Sequence, residues 1–136
     1  MSFDLLIFDP ALVQYQDQAE FMVWYDEFTG WSGSHDYSDA GVVSPKLKSL
    51  YDEMSATYPP INGPDAVDAD FDNSKLTEYS FGPEAIYMGF AWSETAGAFE
   101  EVTRLAAKHE LGFFNVSSDV ADVWLPDGEG GMTRIY

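Results

Sequence analysis

A short apolar run near the start of the chain limits the folds that it can adopt. Residues Phe3–Phe8 are apolar except for Asp4, and Asp9-Pro10 ends the run. Such a run is typical of a buried strand, and the proline that follows cannot continue a central hydrogen-bonded ladder. We therefore predict a fold that begins with a buried strand.

Three helices are predicted downstream from capping signals and apolar periodicity. Asp17, with a Glu three residues later, has the spacing of a capping box, and Gly30 marks the end of that helix. Ser44-Pro45 begins the second helix. Its apolar residues recur at i, i+3, i+4, i+7 and i+11, and this stripe needs a partner surface. The third helix is predicted to start with Ser93 as its N-cap and to end at Gly112.

Two hairpins complete a predicted element order of β-α-α-β-β-α-β-β. The first joins residues 75–81 and 85–92 around Gly82-Pro83-Glu84, and the second joins 113–116 and 122–125 before Pro126. Strands and helices in this order favour a single α+β domain over residues 1–126, with a largely antiparallel sheet and helices packed on one face. We predict a flexible C-terminal tail over residues 127–136.

The charge of the chain excludes several classes of function. Its 136 residues carry 6 Lys+Arg and 24 Asp+Glu, a net charge of −18, whereas nucleic-acid binding needs clustered basic residues. Anionic membrane surfaces repel such a chain, which has neither a long apolar run nor a basic signal start. The absence of cysteine excludes disulfides, thiolate zinc sites and cysteine catalysis. We expect a cytoplasmic protein that binds neither nucleic acid nor membrane.

Signals for catalysis are weak. His109 falls at the end of the third predicted helix, where packing or the helix dipole explains it. His35 lies among serines and a carboxylate, but catalytic triads are assembled from groups that converge in space and are rarely sequence neighbours. The chain has neither a G-x-S-x-G elbow nor a phosphate-binding glycine motif. We predict no enzymatic activity and no cofactor; the alternative is a small enzyme or ligand-binding domain that uses His35 and the nearby carboxylates.

The densest acidic run, at residues 65–73, follows part of a calcium-loop pattern. Asp68, Asp70 and Asp72 match positions 1, 3 and 5 of such a loop. Asn73 stands where the loop needs glycine, and Tyr79 stands where it needs a bidentate glutamate. We predict no metal site here but a solvated acidic loop, and weak cation binding stays open.

Aromatic residues beside carboxylates favour a binding surface for a basic protein partner. Aromatic side chains anchor interfaces, and charges steer the encounter. Trp31 follows the predicted helix end and is a candidate anchor; the alternative is that it covers the core edge. The acidity also has an alternative explanation, in solubility or a saline habitat. The predicted partner-binding residues are Trp31, His35, Asp36, Tyr37, Asp39, Asp65, Asp68, Asp70 and Asp72.

Four short segments spread along the chain carry a resemblance to a known family. They are FMVWYDE at 21–27, PINGP at 60–64, FAWS at 90–93 and GFFNVS at 112–117. Together they resemble a family of small acidic bacterial proteins associated with toxin systems. The resemblance implies an immunity-type role, in which a cytoplasmic protein binds a cognate toxin domain and blocks it. These are framework segments, so the resemblance assigns no functional residue.

Overall fold

Strands and helices make up most of the chain that the computed structural model describes, which is residues 2–31, 33, 35–61, 66 and 74–136. The strands in these ranges are β1 (Phe3–Phe8), β2 (Glu78–Gly82), β3 (Ala85–Phe90), β4 (Gly112–Phe114), β5 (Val123–Pro126) and β6 (Met132–Arg134). The helices are α1 (Gln18–Phe28), α2 (Pro45–Thr57) and α3 (Thr95–Lys108), with short 3₁₀ helices at Ala40–Val42 and Trp92–Glu94. None of the helices in the described ranges is long and apolar enough to cross a bilayer.

A six-stranded sheet forms the centre of the described fold, in the order β2-β3-β1-β4-β5-β6. Every neighbouring pair is antiparallel. The predicted hairpin around Gly82-Pro83-Glu84 is confirmed, because Gly82 pairs with Ala85 at its closed end. The predicted α+β class and the order of elements are also confirmed, and β6 is an addition to that order.

The side chains of β1 are buried on both faces of the sheet. Leu5 and Ile7 belong to the core cluster formed with α2 and α3. Leu6 and Phe8 belong to a second cluster, to which α1 contributes Phe21 and Phe28. The helices α2 and α3 share one face of the sheet, whereas α1 packs on the other, so the prediction of helices on a single face is corrected for α1. A strand that is apolar on both sides needs a cover on each face.

Local capping explains where two of the three helices begin. The Asp17 carboxylate accepts from the Glu20 amide at 2.9 Å, as the capping box predicts. Ser44 Oγ accepts from the Leu47 amide at 3.5 Å, and it also donates to the Asp9 carboxylate at 2.9 Å. The prediction of Ser93 as an N-cap is wrong. A 3₁₀ turn occupies Trp92–Glu94 and delays the start of α3 to Thr95, with Glu94 at the N-cap position.

The segment 127–136, predicted to be a flexible tail, instead contains the edge strand β6. Its register with β5 pairs Trp124 with Arg134 and Pro126 with Met132. The connecting turn is held by the Asp127 carboxylate, which accepts from the amides of Glu129 at 2.7 Å and Gly131 at 3.0 Å. Gly128 and Gly130 take φ angles of +80° and +89°, which glycine adopts without strain. Turn chemistry therefore extends the sheet beyond residue 126.

Glycine at position 112 is required by the aromatic packing of the α1 face. A Cβ added at Gly112 would lie 2.2 Å from Cζ of the fully buried Phe8 ring. We expect Gly112→Ala to lower the free energy of unfolding by about 1–3 kcal/mol, the usual cost of overpacking a core. Urea denaturation measures this change.

Gly89→Ala is the matched control, because it makes the same substitution on the same face of the sheet. A Cβ added at Gly89 meets its nearest atom, Asp4 Oδ1, at an ordinary contact distance of 3.4 Å. We expect it to leave stability unchanged or to raise it by less than about 1 kcal/mol, because glycine weakens a strand interior. Equal losses in the two variants would contradict this packing argument.

Candidate functional site

Helix α1 covers only part of its face of the sheet. A helix is about 10 Å across and strands lie about 4.8 Å apart, so one helix covers about two strands. The Phe21 ring packs on Phe8 of β1 and Phe114 of β4, at centroid distances of 5.2 Å each. One cross-strand row of residues lies beyond the part of the sheet that α1 covers. It consists of Asp4 on β1, Gly89 on β3 and Glu78 on β2. This row combines two carboxylates with a glycine, and it lies at an open pocket.

The pocket has a volume of about 360 Å³ and combines aromatic walls with carboxylates. We call it the Tyr87 pocket; its lining residues are Ser2, Asp4, Tyr25, Thr29, Trp31, Glu78, Ser80, Tyr87 and Gly89. Gly89 supplies no side chain there, and a Cβ at this position would contact Asp4 and Ser2. The missing side chain therefore opens the space between Asp4 and Glu78.

Hydrogen bonds hold the Asp4 carboxylate at the edge of this pocket. Ser2 Oγ donates to Oδ1 of Asp4, and the Tyr87 hydroxyl donates to Oδ2, each at 2.5 Å. Burial and the hydrogen bond to Asp4 raise the pKa of Tyr87 well above its usual range. Burial likewise raises the pKa of Tyr25, which lines the same pocket. Both phenols therefore stay neutral at physiological pH, and Asp4 is positioned by donors that carry no charge.

Trp31 forms one side of the pocket in a strained backbone conformation. Its φ angle is +52°, in the left-handed region that costs a bulky L residue about 1 kcal/mol. Three rings hold the indole at centroid distances of 5.1–5.8 Å, namely Phe28, Tyr37 and Tyr87. The side chain nevertheless keeps 40% of its surface exposed. Strain that the surroundings maintain at an exposed aromatic residue is typical of functional sites.

The segment after Trp31 is fixed to the sheet by backbone and ring contacts. His35 Nε2 lies 3.0 Å from the Phe81 carbonyl oxygen, to which it donates, and its ring lies 4.2 Å from the Tyr37 ring. The Tyr37 hydroxyl accepts from the Gly33 amide at 2.7 Å. The Phe81 amide donates to the Tyr37 carbonyl at 2.8 Å. The segment is therefore built on the end of β2.

Asp36 and Asp39 shape this segment and stay exposed to solvent. The Asp36 carboxylate accepts from the Ser38 amide at 2.9 Å, and the Asp39 carboxylate accepts from the Gly41 amide at 2.8 Å. A nearby cavity of about 290 Å³, lined in part by Glu27, His35 and Glu84, adds two further carboxylates. Carboxylates therefore line both this cavity and the Tyr87 pocket.

Ring contacts join Trp31, His35 and Tyr37, and Asp36 and Asp39 lie in the same segment. We call these five predicted partner-binding residues the Trp31 surface. The other four, Asp65, Asp68, Asp70 and Asp72, lie outside the described residues. Sequence reasoning missed Asp4, Tyr25, Glu78 and Tyr87. The alternation of polar and apolar residues over 78–81 was a usable signal, since it predicts a strand with one polar face.

No lysine or arginine occurs before Lys46, and the elements around the Trp31 surface contain none. The acidic residues of this stretch are Asp4, Asp9, Asp17, Glu20, Asp26, Glu27, Asp36 and Asp39. Five of the six basic side chains pair with carboxylates elsewhere, and Arg134 donates to the Tyr136 carbonyl. The negative charge of the Trp31 surface is therefore not balanced by cations of the described chain.

His109 contacts Glu53 and does not belong to this site. It caps the C-terminus of α3, and its Nε2 lies 2.9 Å from Glu53 Oε1. Lys108 contacts the same carboxylate oxygen at 2.7 Å, and this hydrogen bond and that of His109 hold the pKa of Glu53 below its usual range. Within the described residues, no group of three or more His, Asp or Glu side chains is arranged to hold a metal ion.

Comparison with protein-family models, curated proteins and solved structures gives no match to this chain. The resemblance to toxin-associated acidic proteins therefore stays a prediction. The Trp31 surface and the Tyr87 pocket are the features of the described residues that bear on function.

The hydrogen bond between Tyr87 and Asp4 is testable by titration. With ¹³C-labelled tyrosine, we expect the Tyr87 signal to show a neutral phenol at a pH of about 11, where exposed tyrosines with a pKa of about 10 are ionised. Asp4→Asn removes the negative charge that opposes ionisation, so it should lower the pKa of Tyr87.

Tyr79 is the internal control for this titration, because burial also raises its pKa but its hydroxyl donates to the Tyr58 carbonyl on the opposite face. Its signal should not respond to Asp4→Asn. Two results would contradict the hydrogen bond between Tyr87 and Asp4. The Tyr87 signal could titrate at the same pH as the exposed tyrosines, or its pKa could stay unchanged in Asp4→Asn.

Proposed function

We propose that the protein binds a basic protein partner through the Trp31 surface and thereby blocks that partner. In this proposal it is a cytoplasmic immunity protein that neutralises a cognate bacterial toxin. The observation that supports it most is the strained, exposed Trp31 in a stretch of sequence that is acidic and contains no Lys or Arg. The resemblance noted in the sequence favours the same class of function.

The charge distribution suits rapid capture of a basic protein. A net charge of −18 attracts a positive partner over long distances, and such steering raises association rates 10-fold to 1,000-fold at low salt. General solubility would be served by acidic residues anywhere on the surface. The first 45 residues contain no Lys or Arg, and this uneven distribution of cations along the chain favours steering over solubility.

Trp31 has the properties of an interface anchor. Hot-spot residues are enriched in tryptophan and lie in positions that become fully desolvated on binding. Contacts with Phe28, Tyr37 and Tyr87 hold the indole in one place before the partner arrives. An anchor that is already ordered loses little conformational entropy on binding, and so more of its contact energy appears as affinity.

A small enzyme or ligand-binding domain that uses His35 is the second candidate. The imidazole Nε2 is used to hold the Phe81 carbonyl, and Asp36 and Asp39 accept from backbone amides. These contacts give the three side chains roles in shaping the segment. They favour a rigid binding surface over a catalytic group that exchanges protons with a substrate.

Growth protection tests the proposal. The chain is co-expressed with the C-terminal domain of the protein encoded by the neighbouring reading frame, and cell growth is followed with and without it. We expect that domain to be basic and toxic, and the chain to restore growth. A neighbouring gene without a toxic domain, or a folded and abundant chain that gives no protection, would contradict the proposal.

Binding kinetics with that toxin domain test the anchor. Trp31→Ala should speed dissociation by about 30-fold, equivalent to about 2 kcal/mol, because a desolvated anchor is lost. Trp92→Ala is the matched control: Trp92 is 49% exposed and packs on Phe3, away from the Trp31 surface. We expect the control to leave dissociation unchanged. If Trp31→Ala unfolds the free protein in a thermal melt, Trp31 is a core residue and the anchor role is wrong.

The same kinetics test charge steering with two pairs of substitutions. Asp36→Asn with Asp39→Asn keeps side-chain oxygens that accept the loop amides, and it changes the net charge from −18 to −18 + 2 = −16. This pair should slow association by about threefold or more and flatten its salt dependence. Glu100→Gln with Glu129→Gln makes the same charge change at exposed positions on α3 and the β5–β6 turn. Equal effects of the two pairs would show that total charge alone matters.

A further inference from the structure

We propose that the Tyr87 pocket receives the guanidinium group of an arginine side chain from the partner. The inference rests on the proposed function, since it identifies the chemical group that the protein would recognise. It also assigns a binding role to Asp4, Tyr25, Glu78 and Tyr87.

Aromatic rings supply the walls that a planar cation needs. The Trp31 and Tyr87 rings stand nearly perpendicular to each other, with centroids 5.8 Å apart and an interplanar angle of 85°. Tyr25 lines the same pocket. Tryptophan and tyrosine faces attract cations within about 6 Å, and guanidinium groups also stack on them. A guanidinium in the pocket would contact more than one such ring.

Two carboxylates supply the acceptors that a guanidinium needs. Asp4 and Glu78 lie on either side of Gly89 in one cross-strand row. Each Asp4 oxygen accepts one hydrogen bond from a neutral hydroxyl, which leaves capacity for a charged donor. Within the described ranges, no basic side chain forms a salt bridge with Asp4 or Glu78. Arginine offers five donors in a rigid fork, so it can bond to both carboxylates, whereas lysine is a single point charge.

The open floor of the pocket gives the side chain room to enter. Gly89 has no side chain, so the space above it is open. A Cβ at position 89 would contact Asp4 and Ser2 at 3.4–3.7 Å, and a longer side chain would fill the space between the carboxylates. The pocket of about 360 Å³ also borders Trp31. A partner that buries Trp31 is therefore close enough to insert a neighbouring arginine.

The charge of the surroundings selects against other ligands. The elements that form the pocket are β1, α1, β2 and β3, and their ranges contain no Lys or Arg. An anionic ligand would be repelled, whereas a cationic ligand is attracted by both carboxylates. A positively charged side chain of the partner therefore fits the pocket best.

Titration of ¹⁵N-labelled protein with N-acetyl-arginine amide tests the proposal directly. We expect saturable shifts of the Gly89 amide and the Trp31 indole N–H signals. N-acetyl-citrulline amide has nearly the same shape without the charge, and we expect it to bind at least tenfold more weakly. Equal binding of citrulline, tighter binding of N-acetyl-lysine amide, or the same shifts produced by magnesium chloride at lower concentration would each overturn the proposal.

Two sets of variants place the binding in the pocket. Asp4→Asn combined with Glu78→Gln should weaken arginine binding at least tenfold without enlarging any side chain. Glu100→Gln on α3 is the control and should leave it unchanged. Gly89→Leu should abolish arginine binding by filling the floor, and a thermal melt checks that it folds. Unchanged binding in either pocket variant would overturn the proposal.

The growth assay separates this proposal from the broader function. If the wild-type chain protects cells and Gly89→Leu protects equally with unchanged affinity for the toxin, the arginine pocket is wrong and the binding function stands. If the wild-type chain gives no protection, the proposed function fails. In that case the arginine titration still decides whether the pocket recognises a guanidinium group.

Discussion

The strand β1 determines how the rest of the fold is arranged, because its side chains beyond Asp4 are apolar on both faces of the sheet. Leu5 and Ile7 are covered by α2 and α3, and Leu6 and Phe8 are covered by α1. One helix covers less of a sheet than two helices do. The polar end of β1 therefore lies outside the α1 cover, and the Tyr87 pocket is the space that results.

Local chemistry made much of the fold predictable from the sequence. Asp17 and Ser44 cap their helices as expected because a cap depends on residues three positions apart. The side on which α1 packs was not predictable in this way, since it depends on how both faces of β1 are filled. Nor was β6, because a glycine-rich turn has the composition of a flexible tail, whereas hydrogen bonds to Asp127 and the pairing with β5 order it.

Part of the candidate site could be predicted from the sequence, because the residues of that part are neighbours in the chain. The sequence places Trp31, His35 and Tyr37 close together, and their rings are in contact. Aromatic residues beside carboxylates predict a binding surface there. Asp4 and Glu78 come from separate strands and meet only through the register of β1, β3 and β2. Cross-strand register depends on long-range pairing, which composition and spacing in one sequence do not determine.

The central claim is that a basic partner contacts the Trp31 surface, and amide hydrogen exchange of the complex tests it most directly. Exchange is compared between the free protein and the protein bound to the toxin domain of the neighbouring gene. We predict that binding slows exchange in the segment 31–39 and at Gly89, while α2 and α3 exchange as in the free protein. Protection confined to α3, β5 and β6 would place the partner on the opposite side of the fold and contradict the claim.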